Sequence, residues 1–302
     1  MDINGLLELV ADDSQAGTEL DYDQRFISLE AEMQGQPEQQ YGDTVIQAVE
    51  PDWTKVARDS RELLGQSKDF RLAVMLCRAL TRTEGVPGAL KGMQLLLAMT
   101  ERFWNSGFPA LEFDGEEDLL PRSNALSGLV SASGLLKDLR DISIHSRKLG
   151  SITLGVLERI QLSREVPEDI ALKRENIRDF LQDELSDGNP DIASLAELAV
   201  LVDALADQVD GKMETELLPD FGALRGFLDC FAFERSSVEC EKLGSASIAA
   251  SQEAAESDST RAAFKRDPGP FSREDAITML DQVCAYLEKT EPANPAPLLI
   301  RR

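Results

Sequence analysis

Asp52-Trp53-Thr54-Lys55-Val56-Ala57-Arg58-Asp59-Ser60-Arg61-Glu62-Leu63-Leu64-Gly65 decides the fold class. Trp53, Val56, Ala57, Ser60, Leu63 and Leu64 recur at three and four residues, which lines one face of a helix. Pro51-Asp52 opens that helix and Gly65 closes it. Ser67 is placed to cap a following helix, because its side-chain oxygen can accept an orphan amide hydrogen bond. The following helix carries Phe70, Ala73, Val74, Cys77 and Leu80 on its apolar face. Gly85-Val86-Pro87-Gly88 reads as the turn into a third helix, Ala89 to Trp104, with Leu90, Met93, Leu96, Leu97, Thr100 and Trp104 facing inward. Three helices joined by short connections predict antiparallel packing.

The same periodicity runs outward in both directions. Upstream, Ile3–Val10 and a segment with Phe26, Ile27, Leu29 and Met33 read as helices, the second ended by Gly35 and Pro37. Between them and Trp53 lies Pro37-Glu38-Gln39-Gln40-Tyr41-Gly42-Asp43-Thr44-Val45-Ile46, read as a polar loop running into the helix. Downstream, Leu119–Leu139 reads as two helical pieces split near residues 131–134, and Leu172–Leu185, Ile192–Met213 and Phe221–Phe233 as further helices. Ile152–Leu157 holds β-branched residues without clean alternation, so helix and strand both remain open there. The expected class is all-α.

Four regions are expected along the chain: a helical N-terminal domain over 1–145, a helical middle domain over 146–235, a flexible linker over 236–270 and the start of an assembly domain over 271–302. In the linker, Ala, Ser and Glu dominate Gly244–Ser259, and large apolar residues are too scarce for a core. After it, Ser272-Arg273-Glu274-Asp275 sets a helix cap with an acidic first turn. Ile277, Leu280, Val283, Cys284 and Leu287 then form one stripe, and Glu291-Pro292 ends the helix. A lone helix of this length is marginal in water, so the stripe calls for a partner helix and is the candidate self-assembly surface.

Length and charge bound the function. The 302 residues can form more than one domain, at ~100–200 residues each. There are 55 acidic against 31 basic side chains, a net charge of −24, and such a field repels phosphate backbones and anionic membranes. Nucleic-acid binding and membrane insertion are therefore not expected. Cys77, Cys230, Cys240 and Cys284 make no Cys-x-x-Cys pair, which fits a reducing compartment. The start Met1-Asp2-Ile3-Asn4-Gly5 lacks the basic and apolar regions of a signal peptide, and no window reaches the ~18 apolar residues of a membrane span. A cytoplasmic location is expected.

Chemistry-bearing motifs are few. His145 is the single histidine and is read as an exposed loop residue at a domain edge. Gly85–Gly92 has the wrong spacing for a phosphate loop, and Pro87 removes an amide donor. Glu112, Asp114, Glu116, Glu117 and Asp118 could offer oxygen ligands to a hard cation but lack the order of a calcium loop. Glu19, Asp21 and Asp23 could pose as paired catalytic carboxylates. A metal-dependent hydrolase built on these acidic loops is one alternative, and a generic helical adaptor is another. Trp53 and Trp104 read as core anchors at helix ends. No catalytic residue, cofactor or metal site is expected.

Several short strings, in order, carry a family resemblance. They are Gly17-Thr18-Glu19-Leu20-Asp21-Tyr22-Asp23, the Pro37–Ile46 loop, Asp52-Trp53, Ser67-Lys68-Asp69-Phe70-Arg71-Leu72-Ala73, Arg102-Phe103-Trp104 and Arg122-Ser123-Asn124-Ala125-Leu126. Together, over roughly Gly17–Ile144, they resemble the N-terminal domain of the ImpA/TssA family of bacterial type VI secretion components. Phe271–Ala276 and Pro295–Arg302 are similar to the C-terminal segment of its shorter, baseplate-associated type. Members usually continue past the double arginine into another apolar helix, so the stop at Arg302 suggests truncation or natural shortening. The resemblance implies a non-enzymatic, cytoplasmic assembly factor that contacts baseplate, tail tube and sheath proteins and forms homo-oligomers through its C-terminal region. It also marks Gln40, Tyr41, Gly42, Asp43 and Trp53 as signature residues and candidate partner contacts.

Overall fold

The computed structural model describes residues 3–10, 15–36, 39–41, 44–47, 49–113, 115–146, 150–162 and 172–231. By contacts the chain divides into two units, Met1–Cys240 and Glu241–Arg302, and the described residues all belong to the first. In chain order the first half holds α1 (Ile3–Leu6), α2 (Gln24–Gln34), β1 (Gln39–Tyr41), β2 (Thr44–Ile46), α3 (Trp53–Leu64), α4 (Phe70–Glu84), α5 (Val86–Arg102), β3 (Glu112–Phe113), β4 (Glu116–Glu117), α6 (Leu120–Val130) and α7 (Leu135–Arg140). The second holds β5 (Ser143–Ser146), β6 (Gly150–Thr153), α8 (Leu154–Gln161), α9 (Arg174–Ser186), α10 (Pro190–Asp210) and α11 (Gly222–Asp229).

The fold is mostly helical, with three additions. β1–β2, β3–β4 and β5–β6 are separate two-stranded antiparallel hairpins. Thus the stretch read as a plain polar loop pairs Gln39 with Ile46 and Tyr41 with Thr44. The ambiguous patch at 152–157 resolves into both candidates: Ile152 and Thr153 end a strand, and Leu154 begins a helix. Thr153 marks that change by accepting a hydrogen bond from Val156 N.

Helix α4 is the axis of the body. It buries Leu72, Ala73, Val74, Leu76, Cys77, Ala79 and Leu80, positions on every side, as a helix surrounded by others must. α3, α5, α6 and α7 all pack against it. Asp69, rather than Ser67, caps its start, accepting from Arg71 N at 2.8 Å, while the Ser67 hydroxyl is buried without a partner among the described residues. Asp wins because it lies immediately before the first helical residue, whereas Ser67 is fixed in an extended segment paired with Gly17.

Packing crosses the expected division near residue 145. α10 packs along α5, and three polar contacts set their direction. Val86 N donates to Asp191 Oδ1 at 2.8 Å, Gln94 approaches Glu197 at 3.4 Å, and Gln208 donates to Glu101 at 2.8 Å. Residue numbers rise together along both helices, so the pair is parallel. Leu195, Leu198, Val202, Leu205 and Val209 of α10 are buried, as are Met93, Leu95, Leu96 and Met99 of α5. One hydrophobic core therefore spans both sides of the expected boundary. Among the described residues no helix is long and apolar enough to cross a membrane.

Candidate functional site

Four of the six signature strings meet at one place, the start of α4: those containing Gly17, Ser67, Trp104 and Arg122. Residues 67–69 are extended and held on both sides. Lys68 N donates to Ala16 O at 2.7 Å, and Gly17 pairs with Ser67. Gly17 has a φ of +84°, and a Cβ there would collide with the Gln66 carbonyl, so only glycine suits the contact. On the other side, Phe108 N donates to Lys68 O at 2.9 Å and Phe70 N to Phe108 O at 2.8 Å. The Phe108–Pro109 peptide is cis.

Arg122, on α6, closes this junction. It is fully buried. Its Nε donates to Pro109 O at 3.1 Å, Nη1 to Trp104 O at 3.0 Å and Nη2 to Gly107 O at 2.6 Å. Its guanidinium lies 4.2 Å from the Phe70 ring centroid and 5.1 Å from that of Trp104. Burial pushes its pKa from 12.5 down to about 10, with Asp69 opposing, so it stays cationic at neutral pH. Lys68 serves the opposite side. Its Nζ donates to Leu6 O at 2.8 Å and Leu64 O at 3.0 Å, joining the last turns of α1 and α3. A cation at helix C-termini meets the negative end of each dipole; burial lowers its pKa.

Asp69, fully buried, ties the junction to the surface. Arg71 donates to it through Nε at 3.1 Å and Nη2 at 2.6 Å, and Nη2 also reaches Asp21 at 2.6 Å. Burial works against the Arg71 charge, but the Asp69 bonds hold its pKa above the ordinary range. Asp23, expected as a paired carboxylate, instead caps α2 and binds Arg25, which holds it down at about 2. The signature is thus largely a folding device: its charged groups face backbone and one another, leaving little reactive surface.

Trp53 departs from its expected role. Trp104 is a core anchor, buried edge-on to Phe70 with centroids 5.9 Å apart. Trp53 is only half-buried, and the guanidiniums of Arg78 and Arg82 lie over its ring at 5.6 and 5.7 Å. Arg82 continues to Glu50 at 2.6 Å and Asp141 at 2.9 Å, and Arg78 to Asp138 at 2.7 Å. Asp138 is itself buried, and desolvation raises its pKa despite the Arg78 bond. Trp53 therefore lines an acidic trench of about 590 Å³ with Glu50, Glu84, Asp141 and Asp191. Gln40 and Tyr41 lie on β1, in the hairpin that precedes this helix start, while Gly42 and Asp43 fall outside the described residues.

The remaining candidates are dispersed. Glu112, Glu116 and Glu117 are exposed on the β3–β4 hairpin, Asp118 accepts from Leu120 N, and Asp114 is outside the described residues. Among the described residues no group of three His, Cys, Asp or Glu side chains could hold a metal ion. His145 is exposed on β5, a strand where a loop was expected. Cys77 is buried and its thiol is pushed up to about 12, chiefly by desolvation, which fits a small core residue. Ile277, Leu280, Val283, Cys284 and Leu287 lie outside the described residues.

Arg78, Asp138 and Asp191 were not singled out from sequence. Asp191 completes α5 from outside. Gly85, at φ +70°, has no side chain to cap that helix, and a Cβ there would strike the Asp191 carboxylate. A cap supplied from 105 residues away leaves no local signal.

Known proteins give a consistent picture. The family model described as "ImpA, N-terminal, type VI secretion system" matches residues 7–131, which contain the buried junction apart from Leu6. The "Type VI secretion system component TssA1" of Pseudomonas aeruginosa is 32% identical over 314 aligned residues, covering 100% of this chain and 90% of that protein. A solved structure, the N-terminal domain including the conserved ImpA_N region of the TssA component from Burkholderia cenocepacia, superposes with a TM-score of 0.54 at 20% identity. It covers 76% of this chain and 90% of that one, a likeness of fold. With a relative of this identity aligned along its full length, the chain belongs to the TssA family of type VI secretion system components.

Proposed function

We propose that the chain is a non-enzymatic assembly component of the type VI secretion apparatus, acting in the cytoplasm to organise baseplate, tail tube and sheath. The observation supporting this most is the full-length relationship to a type VI secretion component, since it extends beyond the N-terminal region. The described structure agrees in kind. Its buried charges serve helix ends and backbone carbonyls, and its open features are grooves between helices, suited to protein contact.

In this reading the helical body is joined through the Ala-, Ser- and Glu-rich stretch 236–270 to an assembly element at 271–302. The stripe Ile277, Leu280, Val283, Cys284 and Leu287 packs on its counterpart in another copy. Gathering several bodies raises the effective concentration of each contact surface without any new contact. The decisive experiment is affinity purification of the tagged chain from secretion-active cells, read by mass spectrometry. Enrichment of baseplate, tube or sheath subunits is expected. Their absence under conditions that retain a known baseplate pair would refute the reading.

A further inference from the structure

Ion pairs neutralise carboxylates of the trench beside Trp53: Arg82 meets Glu50, Arg78 meets Asp138 and Lys137 meets Asp141. The adjoining recess, which shares Ser143 and Asp191 with the trench, is different. It has a volume of about 310 Å³ and lies between β5 and the turn from α9 to α10. Glu184, Asp187 and Asp191 line it, and no Lys or Arg does. Among the described residues none of these three carboxylates has a cationic partner.

Glu184 points to what the recess takes. It is 7% exposed, a charge held almost out of water. Asn189 fixes it, Nδ2 donating to Oε2 at 3.1 Å and the backbone N to the Glu184 carbonyl at 2.9 Å. Oε1 accepts nothing among the described residues, and it is the edge of the side chain that opens onto the recess. A buried carboxylate without a cation is costly, and an arriving cation offsets that cost. Glu184 also lies in the last turn of α9, whose carbonyl end attracts positive charge. α10 starts at the same turn, but the Asn189 side chain accepts from its first amides. Among the described residues no three such side chains converge closely enough to hold a metal ion. A guanidinium suits this spread, because its planar fork offers five donors to separated acceptors, whereas an ammonium is a point charge. Asp191 has Oδ1 engaged by Val86 N and keeps Oδ2 for such a donor.

We infer that this recess receives one arginine side chain of a partner protein, with Glu184 Oε1 and the Asp187 carboxylate as its principal acceptors. The volume lies at the small end of the ~300–1,000 Å³ that ligand pockets span, which fits one long side chain rather than a helix. The inference builds on the assembly reading, since the arginine belongs to a protein partner, but its test uses a small molecule. It can therefore fail while the purification described above succeeds.

His145 lines the recess and is the one histidine of the chain, so histidine-selective isotopic labelling gives a single imidazole NMR reporter there. The untagged full chain is titrated with N-acetyl-arginine methylamide at constant ionic strength. The lysine and citrulline counterparts and free L-arginine are titrated alongside. A saturable shift with a dissociation constant of about 1–10 mM is expected for the blocked arginine. The lysine analogue should bind about threefold or more weakly, and the neutral citrulline analogue should give no saturable shift. Asp187→Asn alters an exposed residue, and Glu184→Gln keeps the shape and an acceptor for Asn189. Each variant is expected to weaken binding by about threefold to tenfold while keeping wild-type circular dichroism. No saturation up to about 100 mM, equal binding of the lysine or citrulline analogue, or unchanged binding to Asp187→Asn and Glu184→Gln overturns the inference. So does tighter binding of free L-arginine than of the blocked residue, which would make a small molecule the occupant.

Discussion

Replacing Arg122 with leucine removes the donor that holds three carbonyls at the signature junction. Trp104, Gly107 and Pro109 each accept from it, in a setting with no water-exposed atom of the arginine. Each orphaned carbonyl costs about 1–3 kcal/mol, so three at the middle of that range give ~6 kcal/mol. Against this stands relief from burying a cation with no carboxylate in contact. The drop in pKa from 12.5 to about 10 corresponds to ~3 kcal/mol of disfavoured charge. Stacking on Phe70 and Trp104 contributes about 1 kcal/mol more, largely kept by leucine as apolar contact. The expected net loss is ~3 kcal/mol. Arg122→Lys sharpens the test. Lysine keeps the desolvated charge, but a single ammonium cannot span carbonyls arranged around a planar fork. It should therefore destabilise at least as much as leucine. Urea unfolding followed by tryptophan fluorescence reads both, since Trp104 lies against the guanidinium. A loss below ~1 kcal/mol for Arg122→Leu, or a lysine variant as stable as wild type, would refute the account of Arg122 as a carbonyl clamp.

Three other outcomes are expected. Asp191→Ala should cost about 0.5–2 kcal/mol by uncapping α5, whereas Asp191→Asn, which can still accept from Val86 N, should cost little; urea midpoints compare them. Burial holds the Asp191 carboxyl above its ordinary 3.8, so its stabilising share is fully present below that value and is lost as pH rises through the folded value; the stability of wild type relative to Asp191→Asn should therefore rise on acidification. Trp53→Ala should release Arg78 and Arg82 from a shared ring at a cost of about 1–2 kcal/mol, measurable by the same unfolding curves, with a near-zero change arguing that the ring only covers the trench. Leu280→Asp and Leu287→Asp should lower the molar mass of the assembled protein in light scattering while leaving the unfolding midpoint of the helical body unchanged.

Helix faces were legible because burial and periodicity report the same thing. Val56, Ala57, Ser60, Leu63 and Leu64 are buried on α3, and Leu195, Leu198, Val202, Leu205 and Val209 on α10, as their spacing predicts. The hairpins were not legible, because strands of two to four residues are too short for alternation to show. The start of α4 misled for a local reason: Ser67 and Asp69 both suit a cap, and only the pairing of 67–69 with two distant segments decides between them. Arg122 was visible as part of a family string but not as a buried residue, since nothing in Arg122-Ser123-Asn124 distinguishes a clamp from a solvated face. The packing across residue 145 was not legible, because an apolar helix face does not name its partner. α5 could have been covered by its neighbours in sequence, yet α10 covers it.

The parallel contact between α5 and α10 has a consequence for how the body holds together. A fragment ending where the N-terminal family match ends, at residue 131, would lose α10, baring the side of α5 that carries Val86, Gln94 and Glu101 and leaving the Val86 amide uncapped. Such a piece would be expected to self-associate through that bare strip, and its contacts in solution would report on an artificial surface. Conversely, a force pulling on the far end of the body is transmitted through α10 directly to the layer beside α4. The signature junction is thereby mechanically coupled to a helix more than a hundred residues away along the chain.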